Sequence, residues 1–164
     1  MKPTTINGKA IPILDSKCKL IDDIDTDMIF HNAHLHITDV SKMGPYSFGN
    51  LVGWHEFPNR ADLKGAVLFV GANFGSGSSR QQAVDCFRSL NIAAIIGVSF
   101  GGIYYRNAIN TGFPVLVDTT LEQHIDKING EVSIDLLKSA YSVAGNTYKL
   151  TTIPQVQMDI YNAG

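Results

Sequence analysis

A chain of 164 residues with 45% apolar side chains can bury one core, and its length points to a single domain over residues 1–164. A net charge of −2 offers no electrostatic footprint for nucleic acid or an anionic membrane surface, and no run approaches the roughly 18 apolar residues of a membrane span. Cys18 and Cys86 are too few and too far apart for a disulfide framework or a zinc site, and Met1-Lys2-Pro3-Thr4-Thr5 has no apolar signal core behind it, so a cytoplasmic chain with two reduced thiols is expected.

Residues 4–14 alternate loosely about Asn7-Gly8 and read as a hairpin or an opening strand pair. A short apolar approach, Cys18 to Ile21, leads into the acidic run Asp22-Asp23-Ile24-Asp25-Thr26-Asp27. A calcium loop counted from Asp23 would need Gly where Met28 stands and Glu where His34 stands, so that reading fails. What is left is a solvated acidic turn capping the next segment, or a site carboxylate held by its neighbours. For the second, Thr26-Asp27 is the pair of choice, because Met28-Ile29-Phe30 would anchor it in the core. In His31 to Thr38, strand-like alternation would put His34 and His36 on one side. Two imidazoles can share a metal, but no third ligand is near, and an exposed face is the commoner explanation. From Val40 to Lys64 periodicity is lost and Gly-Pro, Gly-Asn and Pro-Asn pairs accumulate, which predicts a long connection with at most a short helix.

The chain is organised around Gly71-Ala72-Asn73-Phe74-Gly75-Ser76-Gly77-Ser78-Ser79-Arg80. The apolar run Ala66 to Val70 ahead of it predicts a strand covered on both faces. Behind it, Ala83, Cys86, Phe87 and Leu90 form one stripe of a helix expected over residues 78–91, capped by the serine pair. The glycines let the backbone approach a ligand, unpaired N–H groups at the helix start favour an anion, and Arg80 adds a fork suited to a carboxylate or phosphate. A P-loop would need Lys after Gly77, and a dinucleotide fingerprint begun at Gly75 would need Gly at Arg80; neither is present. A plain strand-to-helix turn explains the glycines equally well, but not Arg80 beside two serines. Further strands are expected over residues 92–100 and 114–117 with a helix between them over residues 103–110, giving a βαβαβ run with a parallel sheet and right-handed crossovers. Gly145-Asn146 marks a late hairpin between residues 132–137 and 148–150, and Pro154 opens a final helix through Tyr161.

Three stretches, Asp23-Ile24-Asp25-Thr26-Asp27, Asn73 to Arg80, and Tyr105-Arg106-Asn107-Ala108-Ile109-Asn110-Thr111-Gly112, resemble in order and spacing the small-subunit family of 3-isopropylmalate dehydratase, within the aconitase superfamily. The resemblance implies an α/β fold, a swivelling β/β/α domain that closes over a large partner subunit carrying a four-iron iron–sulfur cluster. It implies reversible dehydration and hydration of a hydroxy-di- or tricarboxylate, with Ser78 as the base, Arg80 and Ser79 holding the adjacent carboxylate, and Thr26 and Asp27 as the family's Thr-Asp site pair. Gly77, His34 and His36 would line the substrate. Cysteine counting agrees: a four-iron cluster is held by cysteine thiolates, and two distant cysteines cannot build one, so no metal or cofactor is expected on this chain.

The chain departs from the family in two places. Gln81-Gln82 stand where Glu-His is usual, and the specificity loop reads His34-Leu35-His36-Ile37-Thr38, which puts His36 at the discriminating position in place of an apolar residue or arginine. Isopropylmalate-type isomerisation is the leading reading, with homoaconitate or another malate- or citrate-type acid as the alternative substrate. A non-catalytic organic-anion or docking module is the second hypothesis. A self-contained serine hydrolase lacks the Gly-x-Ser-x-Gly frame around Ser78.

Overall fold

The computed structural model describes residues 2–164; Met1, read above with the amino-terminal stretch, lies outside the described residues. Four strands run parallel, β1 (Thr5–Pro12), β2 (Val67–Val70), β3 (Ala94–Gly97) and β4 (Val115–Val117), joined in part by helices α2 (Gln82–Ser89) and α3 (Gly102–Asn110). An antiparallel meander follows, β5 (Glu131–Asp135), β6 (Ala140–Val143) and β7 (Asn146–Lys149), completing a seven-stranded sheet in the order β4-β3-β2-β1-β5-β6-β7. Helix α4 (Gln155–Ala163) closes the chain behind Pro154, as its sequence predicts.

Every residue of β2 and β3 is buried because alternate side chains enter two cores. Leu68, Val70 and Ile95 pack with Phe87 and Ala108 of the helices, while Val67, Phe69 and Ile96 meet Ile134, Tyr141 and Met158 on the other side. The continuous apolar runs seen in the sequence are the consequence. Where the two layers join, Asp118, 1% exposed, accepts from the Tyr141 hydroxyl at 2.6 Å and lies 3.0 Å from His124 Nε2, tying the turn after β4 to the meander.

Strand β1 is the seam of the sheet, pairing in parallel with β2 through Ala10 to Pro12 and antiparallel with β5 through Thr5 to Lys9. The hairpin expected at Asn7-Gly8 is therefore absent, and one unbroken strand runs through both residues. Gly8 serves close approach instead of a turn: a Cβ there would collide with the Gly65 carbonyl. The late hairpin does form at Ala144-Gly145, φ +50° and +81°, but β7 pairs with β6 instead of with residues 132–137.

No strand forms over His31 to Thr38. The His31 imidazole accepts from the Ala33 N–H at 2.9 Å and winds Asn32–His34 into a 3-10 turn. The long connection is built of further 3-10 turns, Val40–Lys42, Gly44–Tyr46 and Phe57–Asn59, and carries Met43, Phe48, Leu51, Phe57 and Leu63 into the core. Among the described residues no helix is long and apolar enough to cross a membrane.

Candidate active site

The acidic run lies along the glycine loop and is bonded to it through both backbones. Asp23 N donates to Ala72 O (2.9 Å), Gly75 N to Ile24 O (2.7 Å) and Thr26 N to Ser76 O (2.9 Å). Three of the aspartates have local duties: Asp22 accepts from Ala72 N (2.8 Å), Asp23 from the Asn73 amide (3.0 Å), and Asp25 caps helix α1 (Thr26–Ile29) by accepting from Met28 N (2.9 Å). Ile29 and Phe30, both fully buried, hold that helix in the core.

Asp27 is left to face outward. Its Oδ1 accepts from Asn32 N (2.9 Å) and from Arg80 Nη1 (3.0 Å), and its Oδ2 from Asn50 Nδ2 (2.9 Å). The Arg80 hydrogen bond first, and the Asn32 N–H second, hold the Asp27 carboxyl below its ordinary value. Arg80 Nη1 also donates to the Phe30 carbonyl (3.0 Å), so the guanidinium is gripped at one nitrogen. Its Nε and Nη2 have no partner among the described residues. A fork pinned at one corner with its other edge open is suited to a second, incoming carboxylate.

Ser78 and Ser79 do not cap α2 as expected. The helix begins only at Gln82, with Gln81 at its cap position and no side-chain cap, and both serines stand exposed in a bend ahead of it. Gly75 and Gly77, at φ +80° and +94°, keep the chain out of helical geometry there, and the polar groups of the bend are taken by other elements. The Thr26 hydroxyl donates to the Ser78 carbonyl (2.9 Å), and the Asn107 amide of α3 donates to Ser79 Oγ (3.2 Å). The Ser78 hydroxyl has no partner among the described residues. At Gly75 the close neighbour is protein, not ligand, because a Cβ would strike the ring of Tyr104; Gly77, by contrast, is exposed.

The two histidines of the specificity loop part company. His34 is tucked against Tyr46, ring centroids 4.2 Å apart, with its pKa pushed down by burial and then by His31 and His36. His36 is exposed and, with Lys42 and Tyr46, lines an open groove of about 670 Å³. The glutamine pair is also divided: Gln81 reaches Asp85 (3.2 Å), while Gln82 Nε2 donates to the Leu35 carbonyl (3.2 Å) and ties the loop to α2. Hydrogen bonds thus join Thr26 to the Ser78 backbone and Asp27 to Arg80, while the Ser79 hydroxyl is held by Asn107; no side-chain bond joins His34 or His36 to any of them. Asn50, Gln82 and Asn107 were not singled out as site residues. Asn107 lies inside the Tyr105-to-Gly112 motif, whereas Asn50 lies in a Gly-Asn turn signal that carries no hint of its partner.

Cys18 is exposed and Cys86 buried in α2, and among the described residues no group of three or more His, Cys, Asp or Glu side chains is placed to hold a metal ion. The donor set of this chain does not fit a four-iron cluster.

Comparison with known proteins converges on one group. The aconitase C-terminal domain matches residues 55–119, which include the glycine loop and α3 but not Thr26 or Asp27. The 3-isopropylmalate dehydratase small subunit of Lachnospira eligens is 33% identical over 151 residues, 87% of this chain and 84% of its own length. That of Pyrobaculum aerophilum is 40% identical over 115 residues, 70% of this chain and 68% of its own. The crystal structure of 3-isopropylmalate dehydratase from Methanocaldococcus jannaschii superposes with a TM-score of 0.82 at 34% identity, covering 98% of this chain and 89% of that one.

Proposed function

The chain belongs to the 3-isopropylmalate dehydratase small-subunit family, and we propose that it is the part of a hydro-lyase that grips a substrate carboxylate and accepts the neighbouring proton. The observation that carries this reading is Arg80, pinned at Nη1 by Asp27 and the Phe30 carbonyl and open at its other edge, two positions from an exposed, unpartnered Ser78 hydroxyl.

The substrate is a hydroxy-di- or tricarboxylate of the isopropylmalate type, which the relatives' names indicate. Arg80 Nε and Nη2 take one carboxylate, the Ser79 hydroxyl donates to it, and Ser78 Oγ, in its deprotonated form, removes the proton from the carbon beside that carboxylate. The electron pair of the broken C–H bond becomes the new C=C bond as the C–O bond breaks and its electrons leave with the hydroxide, which takes up one proton to be released as water; hydration runs the same path backward. A serine alkoxide is affordable only beside a guanidinium and with water excluded, so the site works when a partner closes over it. Asp27 fixes the guanidinium and keeps its own charge at neutral pH. Lewis-acid chemistry would come from a four-iron cluster on a large partner subunit. Residues 1–164 act as one unit, and the reaction is assigned to the cytoplasm.

The test is the complex reconstituted with its cluster-bearing large subunit and supplied with 3-isopropylmalate. Ser78→Ala is expected to lower kcat by about 10²–10⁴-fold while the complex still assembles. Undiminished turnover by the assembled variant overturns the reading.

A further inference from the structure

We propose that Asn107 is a positioning residue that sets the direction of the Ser79 hydroxyl, and through it the affinity of the site for a carboxylate. The inference rests on the reading of Ser79 as a carboxylate donor. A serine hydroxyl can donate one hydrogen bond and accept two, and its rotor turns to suit its neighbours. Asn107 Nδ2 donates to Ser79 Oγ at 3.2 Å, and no acceptor for the Ser79 proton exists among the described residues. An amide donor occupying one oxygen lone pair turns the O–H away from α3 and leaves the proton free for an incoming anion.

The placement of Asn107 is firm. Tyr104, one turn earlier on the same face of α3, is buried and donates its hydroxyl to the Ala83 carbonyl in the first turn of α2 at 2.9 Å. It also packs where Gly75 has no side chain. Helix α3 is thereby locked to the start of α2 and to the glycine loop, and Asn107 is delivered to the serine bend between them. The bend has no helical hydrogen bonds of its own at Ser78 and Ser79, so the amide sets the rotor without competition from a cap.

Chemistry at Asn107 therefore matters more than shape. Asp is nearly isosteric, but its carboxylate accepts the Ser79 proton and points the hydroxyl inward; Ala merely frees the rotor. With 3-isopropylmalate and the reconstituted two-subunit enzyme, Asn107→Asp is expected to raise KM at least about tenfold, the loss of one hydrogen bond to a charged group, with kcat changed less than about threefold. Asn107→Ala is expected to raise KM less. In a Ser79→Ala background the effect of Asn107→Asp should largely vanish, because Asn107 acts through that hydroxyl. If Asn107→Asp does not assemble, the Asn107→Ala and Ser79→Ala cycle is read by the same criterion. An equal KM rise with and without Ser79, a loss confined to kcat, or better tolerance of Asp than of Ala overturns the inference. Ser79→Ala alone tests the underlying assignment separately: a raised KM supports Ser79 as a carboxylate donor whatever Asn107 does, and an unchanged KM removes that premise.

Discussion

Asp27 shows how one carboxylate can matter to chemistry and little to folding. Its pair with Arg80 is more than a third exposed on the aspartate side, so it contributes under about 1 kcal/mol to stability, yet it decides which edge of the guanidinium stays open. Asp27→Asn is expected to leave the urea midpoint nearly unchanged while lowering kcat/KM at least about tenfold, chiefly through KM; a large stability loss with unaltered kinetics would reverse that assignment. Because the folded Asp27 pKa lies below the ordinary 3.8, the pair is intact above that value and is lost only as pH falls through the lowered one. An activity loss near pH 5, if measured, would therefore have another source than this pair. At this scale the sequence was readable where a polar residue was followed by its own anchor, as in Thr26-Asp27 before Met28-Ile29-Phe30. Asn50 was not, since a single amide in a turn does not announce a partner so far along the chain.

Among the elements, those whose periodicity is set by burial on both sides were legible: β2, β3 and the apolar stripe of α2. The elements misread were those decided by a local side-chain bond or a tertiary contact. His31 turns a would-be strand into a 3-10 turn, Gly8 sits in a strand because Gly65 crosses it closely, and Thr26 and Asn107 claim the groups that a serine cap would have used. The connection over residues 40–64 is ordered for a related reason: its Phe48 and Phe57 rings close on Phe87 of α2, with Phe48 and Phe87 centroids 5.1 Å apart. Phe87→Ala is expected to cost about 3–5 kcal/mol and to raise protease cleavage within residues 40–64 before cleavage elsewhere. A uniform loss of protection would mean that the connection does not depend on that cluster.

Over the whole molecule the two cysteines report on integrity. Burial pushes the Cys86 thiol up to about 12, while Cys18 is exposed in a turn. At pH 8 the native protein should take up one equivalent of iodoacetamide, at Cys18, and a second only in denaturant, as counted by mass spectrometry. Equal labelling of both thiols without denaturant would mean that α2 is not packed as described. The seam at β1 has a further consequence, for assembly in time. This strand precedes both of its neighbours, and the partner of its first half, β5, is made only after all four parallel strands. During synthesis one side of β1 is an open row of donors and acceptors with nothing native to bind, the kind of surface on which nascent chains stick to one another. Refolding should accordingly be slow and concentration-sensitive until the meander docks, which makes the last fifth of the polypeptide a built-in guard for the first strand.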